Sequence, residues 1–132
     1  MAQRQRSILV DTDIFIDYLN GIHRIRDILD SPQYRLYYAA VTRKELLAKP
    51  DLSSTERRRI RTLLLKHRLI PGDATIAERV SQLLAKYATQ GLRPADALGA
   101  ATAWARRLPL LTRNTRHYRV ITEITIVDPA VL

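Results

Sequence analysis

Strand-length apolar runs alternate with helix-period stretches along this chain, and that alternation restricts it to folds in which strands are joined by helical crossovers. Residues 7–10, SILV, are a run of the kind buried on both faces of a parallel sheet. Ile14, Leu19 and Ile22 then share one side of a helix. Gly21 interrupts, and Ile25, Ile28 and Leu29 continue a second helix that stops before Ser31 and Pro32. YRLYYAAV, residues 34–41, is rich in aromatic and β-favouring side chains and reads as a second strand.

Thr42 and Glu45 stand at capping-box spacing, which predicts a helix from Thr42 to Lys49, ahead of Pro50. A second box, Ser53 with Glu56, opens an arginine-loaded helix to about His67. After the short apolar segment Leu69 and Ile70 and the turn Pro71 and Gly72, Asp73 caps a long amphipathic helix that Gly91 terminates. Pro94 suits the first turn of the next helix, whose Ala97, Gly99, Ala100, Ala101 and Ala103 allow close backbone packing. LPLLT (108–112) and ITIV (124–127) read as closing strands, separated by a polar loop beginning RNTRHYR. The order predicts an α/β fold with a mainly parallel sheet and helices on both faces. At 132 residues it is expected to be a single domain, residues 1–132.

Composition narrows the chemistry. Hydrophobic residues at 46% and charged residues at 27% describe an ordinary globular chain and exclude a disordered or collagen-like one. There is no cysteine, which removes disulfides, thiolate ligands and a cysteine nucleophile. His23, His67 and His117 are scattered, which argues against zinc. The stretch MAQRQRSILV has neither the pattern of a signal peptide nor the length of a membrane span, so a cytoplasmic protein with no membrane partner is expected. The net charge of +9 comes mostly from arginine, only Lys44, Lys49, Lys66 and Lys86 being lysines. Guanidinium forks suit phosphate, and nucleic acid is the leading partner, against a solvated basic surface or an acidic protein.

The acids carry the sharpest signal. In an open α/β sheet ligands bind outside the carboxyl ends of the strands. Asp11 closes the first strand there, Glu45 follows the second, and Asn114 follows LPLLT. Asp96 stands near the start of the helix headed by Pro94. Each has a plain alternative: Asp11 and Glu45 as helix caps, Asp13 and Asp96 as charges favoured by a helix dipole, Asp17 in a surface or salt-bridge role. Convergence of Asp11, Glu45 and Asp96 on one edge would need a further explanation. Two carboxylates about 4 Å apart repel by roughly 4 kcal/mol at an effective dielectric near ~20. A divalent cation removes that penalty, and oxygen-only ligands favour Mg²⁺ or Mn²⁺. Such ions activate water and stabilise charge on a phosphodiester. Arg57, Arg58, Arg59, Arg61, Lys66 and Arg68 read as a solvated helix face, whereas Arg113, Arg116 and Arg119, flanking Asn114, are expected to contact phosphate. Tyr118 reads as a core residue, with stacking on an unpaired base as the alternative, and Trp104 reads as packing.

Four segments, LVDTDIFIDYLNG, VTRKELLA, RPADALGAATA and LLTRNTRHYRVI, occur in the order and spacing of PIN-domain ribonucleases, and the chain resembles that family, in particular its VapC toxins. The resemblance implies a three-layer α/β/α sandwich that hydrolyses single-stranded or looped RNA with Mg²⁺ or Mn²⁺. It implies that Asp11, Glu45, Asp96 and Asn114 are the catalytic set, with Asp11 and Asp96 holding metal. Asn114 occupies a position where many relatives place Asp, so one negative charge is missing. The resemblance also implies a homodimer and a small VapB-like antitoxin that inserts a segment into the acidic cleft. Two other functions fit parts of the sequence. One is a PIN-like nucleic-acid-binding protein with weak or no turnover. The other is a phosphatase of the haloacid dehalogenase type, suggested by Asp11-Thr12-Asp13 and disfavoured by Phe15 and by the chain length.

Overall fold

The computed structural model describes residues 4–132; residues 1–3, which open the basic N-terminal stretch, lie outside the described residues. In chain order the elements are β1 (Arg6–Val10), α1 (Thr12–Leu19), α2 (His23–Asp30), β2 (Tyr34–Ala39), α3 (Ala40–Leu47), α4 (Ser54–Leu65) and β3 (Arg68–Ile70). They continue with α5 (Ala74–Lys86), α6 (Pro94–Arg106), β4 (Leu110–Leu111), α7 (Thr115–Tyr118) and β5 (Ile126–Val127). The five strands form one sheet in the order β3-β2-β1-β4-β5, with every neighbouring pair parallel.

Side chains of successive strand residues point to opposite faces, so β1 feeds two cores. Ile8 and Val10 pack with Ile14, Phe15, Ile25, Leu36 and Leu63 under α1, α2 and α4. Leu9 packs on the other face with Ile76, Leu83, Ala100, Leu110 and Ile121 under α5 and α6. That division makes the three layers. Ala97, Ala100, Ala101 and Ala103 of α6 are buried, which lets its backbone lie close to the sheet. Phe15 is completely buried, and truncating it to Ala would cost about 3–5 kcal/mol.

The path of the chain decides where a site can form. From β1 the chain moves to β2 on one side, and β4 later joins β1 on the other, with Leu9 beside Leu110 and Val10 beside Leu111. The crevice between the diverging connections of β1 and β4 is a topological switch point, where α/β sheets bind ligands.

Several local expectations are corrected. Helix α3 begins at Ala40, its N-cap Ala39 makes no side-chain cap bond, and the Thr42–Glu45 box does not form. The chain turns directly from β2 into α3, which places Thr42 inside the helix and buries it. Arg68–Ile70 is an edge strand, not merely an apolar segment, because it pairs with Tyr37–Ala39. The RNTRHYR loop contains the single turn α7. Helix α5 stops at Lys86, and a 3₁₀ turn, Ala88–Gln90, intervenes before Gly91, whose φ of 75° ends the segment. The Ser53–Glu56 capping box and the Asp73 cap form as expected.

Candidate active site

Beyond the carboxyl ends of β1 and β4 lies a cleft of about 190 Å³ whose lining includes Asp11, Asp13, Glu45, Asp96, Asn114 and Tyr118. The four anticipated positions, drawn from separate segments of the chain, therefore share one cavity.

Asp11 is the N-cap of α1, and its Oδ1 accepts the Thr12 N–H at 2.9 Å. Its Oδ2 accepts the Thr112 hydroxyl at 2.8 Å. The cap role and the cleft role are thus compatible, since capping occupies only one oxygen. Thr112, wholly buried at the end of β4, also accepts the Asn114 N–H at 3.0 Å and so holds two cleft residues.

Glu45 sits in the second half of α3 and reaches the cleft sideways, not from a helix start. Its Oε1 accepts the Thr12 hydroxyl at 2.9 Å. Thr12 has one hydroxyl hydrogen, so the 2.9 Å contact between Thr12 and Thr42 Oγ1 is donated by Thr42. A relay Thr42–Thr12–Glu45 results, and Glu45 Oε2 takes no part in it.

Asp96 is the third residue of α6. Its Oδ1 accepts the Tyr118 hydroxyl at 3.3 Å, and its Oδ2 accepts Arg93 Nε at 3.3 Å, with His117 Nδ1 3.8 Å away. Burial, then the charges of Asp11 and Asp96, push the Tyr118 phenol upward, so it stays a hydrogen-bond donor.

Asp13 Oδ2 accepts the Arg113 N–H at 3.0 Å, while its Oδ1 is buried without a partner. Burial, reinforced by the Asp11 charge, pushes the Asp13 carboxyl up to about 6. Asp11 is raised as well, mainly by burial, against the hydrogen bonds from Thr112 and Thr12. Asp17 forms an ion pair with Arg113 Nε at 2.6 Å, which is the salt-bridge role expected for it, although its side chain is largely buried. That pairing occupies Arg113, one of the three arginines anticipated to contact phosphate.

Among the described residues, no group of three acidic or histidine side chains stands ready to hold a metal ion. Glu45 and Asp96 are bonded to Thr12 and Arg93 instead. The donor set nevertheless suits a hard cation, being made of carboxylate and amide oxygens, and the orphaned Asp13 Oδ1 marks uncompensated negative charge.

Thr12, Thr112, Tyr118 and Arg93 were not legible as site residues. Thr12 and Thr112 each carry a faint signal, a hydroxyl residue within two positions of the end of a buried strand. Tyr118 offered only a base-stacking alternative to packing and Arg93 offered no signal, because α7 and the Arg93 turn are positioned by packing.

Fold and cleft together define a three-layer α/β protein with an acid-lined crevice at its switch point. Residues 8–122 match the model of the PIN domain, and the chain belongs to that family. It is 32% identical over 121 residues to ribonuclease VapC10 of Mycobacterium tuberculosis, covering 89% of this chain and 90% of the relative. A toxin–antitoxin complex from Klebsiella pneumoniae contains a chain with 29% identity and a TM-score of 0.77, covering 92% of this chain and 97% of that one. The DNA-bound VapBC of Salmonella typhimurium, at 23% identity, shares the fold with a TM-score of 0.81 over 96% of this chain and 99% of that one.

Proposed function

We propose that this protein is a Mg²⁺- or Mn²⁺-dependent endoribonuclease and the toxin of a VapBC-type pair. The observation that carries this reading is the meeting of Asp11, Glu45 and Asp96 in one cleft of a PIN-domain chain.

Asp11 and Asp96 would hold the ion, with Asn114 offering an amide oxygen at the same edge. When bound there, such an ion would supply charge neutralisation at the phosphodiester and activation of a water. Glu45 acts as the base: Oε1 is held by Thr12, which leaves Oε2 to take the proton of the attacking water. The water oxygen bonds to phosphorus, the P–O bond to the departing strand breaks, and the departing oxygen takes a proton from solvent water. Thr112 and the Thr42–Thr12 relay fix the carboxylate rotamers beforehand, so little reorganisation is needed during reaction. Tyr118 donates to Asp96 and limits its rotation.

The toxin–antitoxin complexes among the structural neighbours support an antitoxin partner. A small VapB-like antitoxin covering the acidic cleft, a homodimer and a cytoplasmic setting belong to the same reading. No helix among the described residues is long and apolar enough to cross a membrane.

The test is cleavage of RNA by the purified protein with Mg²⁺ or Mn²⁺, and its arrest by EDTA. Salt-sensitive RNA binding with no cleavage under any metal would leave a nucleic-acid-binding protein in place of the enzyme.

A further inference from the structure

Behind Asp96 lies a second cavity of about 370 Å³, whose lining includes Leu92, Arg93, Asp96, Arg116, His117 and Val120. Arg93 and Asp96 also line the acidic cleft, so the two cavities share a wall. We propose that this second cavity is a subsite for the RNA backbone phosphate next to the one being cleaved, held by Arg116, Arg93 and His117. The proposal rests on the ribonuclease reading for the identity of the strand.

Three features point to an anion. First, the basic groups converge from two segments: Arg93 precedes α6, Arg116 and His117 stand on α7, and Arg93 Nη2 lies 3.4 Å from His117 Nδ1. Second, their charge is not fully spent. Arg93 meets Asp96 through Nε at 3.3 Å, but among the described residues Arg116 has no carboxylate within 4.0 Å. The two guanidinium groups outweigh the single carboxylate, so the cavity favours a negative group. Third, the arginines of the RNTRHYR segment divide by role. Arg113 is engaged by Asp17, and Arg116 is the one that lines the cavity. Leu92 and Val120 add apolar wall suited to a sugar, and the volume falls within the range of about 300–1,000 Å³ typical of ligand sites.

The cavity also answers an electrostatic difficulty. The acidic cleft repels an incoming phosphodiester, and a cationic subsite across a shared wall offsets that repulsion by holding the neighbouring phosphate. Phosphate contacts of this kind fix the register of the strand without reading its bases.

The experiment is fluorescence anisotropy of a short labelled single-stranded RNA in EDTA, where no cleavage occurs, over a series of salt concentrations. Arg116→Ala should weaken binding by about fivefold to tenfold and lower the slope of log K against log salt by about 0.7, the value for one lost contact on a single strand. Arg116→Lys should recover part of both. Arg61→Ala, on the outer face of α4, should leave both close to wild type. Unchanged affinity and slope in Arg116→Ala would overturn the subsite, as would an equal loss in Arg61→Ala, which would reveal only general charge. The subsite also falls if Arg116→Ala weakens an acidic antitoxin peptide but not RNA. Failure of wild type to cleave RNA with any metal, while Arg116→Ala still loses RNA affinity, would remove the enzyme and leave the subsite standing.

Discussion

Thr112 donates its hydroxyl to Asp11 Oδ2 at 2.8 Å, across 101 residues of sequence. The bond exists because β1 and β4 are parallel neighbours in a register that sets Val10 beside Leu111, so the next residue of each strand meets the other at the sheet edge.

Thr112→Val keeps the shape of a fully buried side chain but strips Asp11 of a donor and the Asn114 N–H of its acceptor. A loss of about 1–3 kcal/mol in denaturant unfolding is expected, together with reduced RNA cleavage. Thr112→Ser should restore most of both. A Val variant as stable and active as wild type would show that Asp11 does not depend on this hydroxyl.

Asp96→Asn and Glu45→Gln separate metal holding from proton transfer. Each should lower RNA cleavage by about 10²-fold or more while the thermal unfolding profile in EDTA stays close to wild type. Calorimetric titration with Mn²⁺ should lose its binding signal in Asp96→Asn and keep it in Glu45→Gln. The reverse result would exchange the two roles.

Charge in the cleft has a signature in stability against pH. The folded-state value of Asp13, about 6, lies above the roughly 3.9 of an unfolded aspartate, so the fold favours the protonated form. Its contribution is fully present below about pH 3.9 and is lost as pH rises through about 6. Glu56, held low by the Ser53 N–H and hydroxyl, works in the opposite direction, which makes a difference measurement necessary. Wild type minus Asp13→Asn in EDTA should show stability falling across that window. Mg²⁺ should raise the melting temperature at about pH 7.5 more than at pH 5, where protons compete for the same oxygens. A shift of equal size at both values would refute this account.

The α4 capping box sits apart from the cleft and tests the fold alone. Ser53 Oγ accepts the Glu56 N–H at 3.0 Å, and Glu56 Oε1 accepts the Ser53 N–H at 3.3 Å. Ser53→Ala should cost about 1 kcal/mol in chemical denaturation, with cleavage by the folded protein unaffected.

The α/β class, the parallel sheet, the starts of α4, α5 and α6 and the acids worth watching were all legible in the residues alone. Those features are written in local periodicity and in short-range chemistry such as the Ser53 and Asp73 caps, which neighbouring residues satisfy without help from the rest of the chain. Local rules failed where distant contacts outbid them. Thr42 had the spacing of a cap, yet the turn from β2 buried it against Thr12. Leu69 and Ile70 were too short a run to declare a strand until β2 offered them partners. It took the packed chain to show that Asp11, Glu45, Asp96 and Asn114 share a cavity, that Thr12, Thr112 and Tyr118 hold three of them by side-chain hydrogen bonds and the fourth by its backbone N–H, and that Arg113 is engaged while Arg116 lines a second cavity. Sheet order and register bring these residues together, and both are set by burial summed over the whole molecule, which no single stretch of sequence encodes.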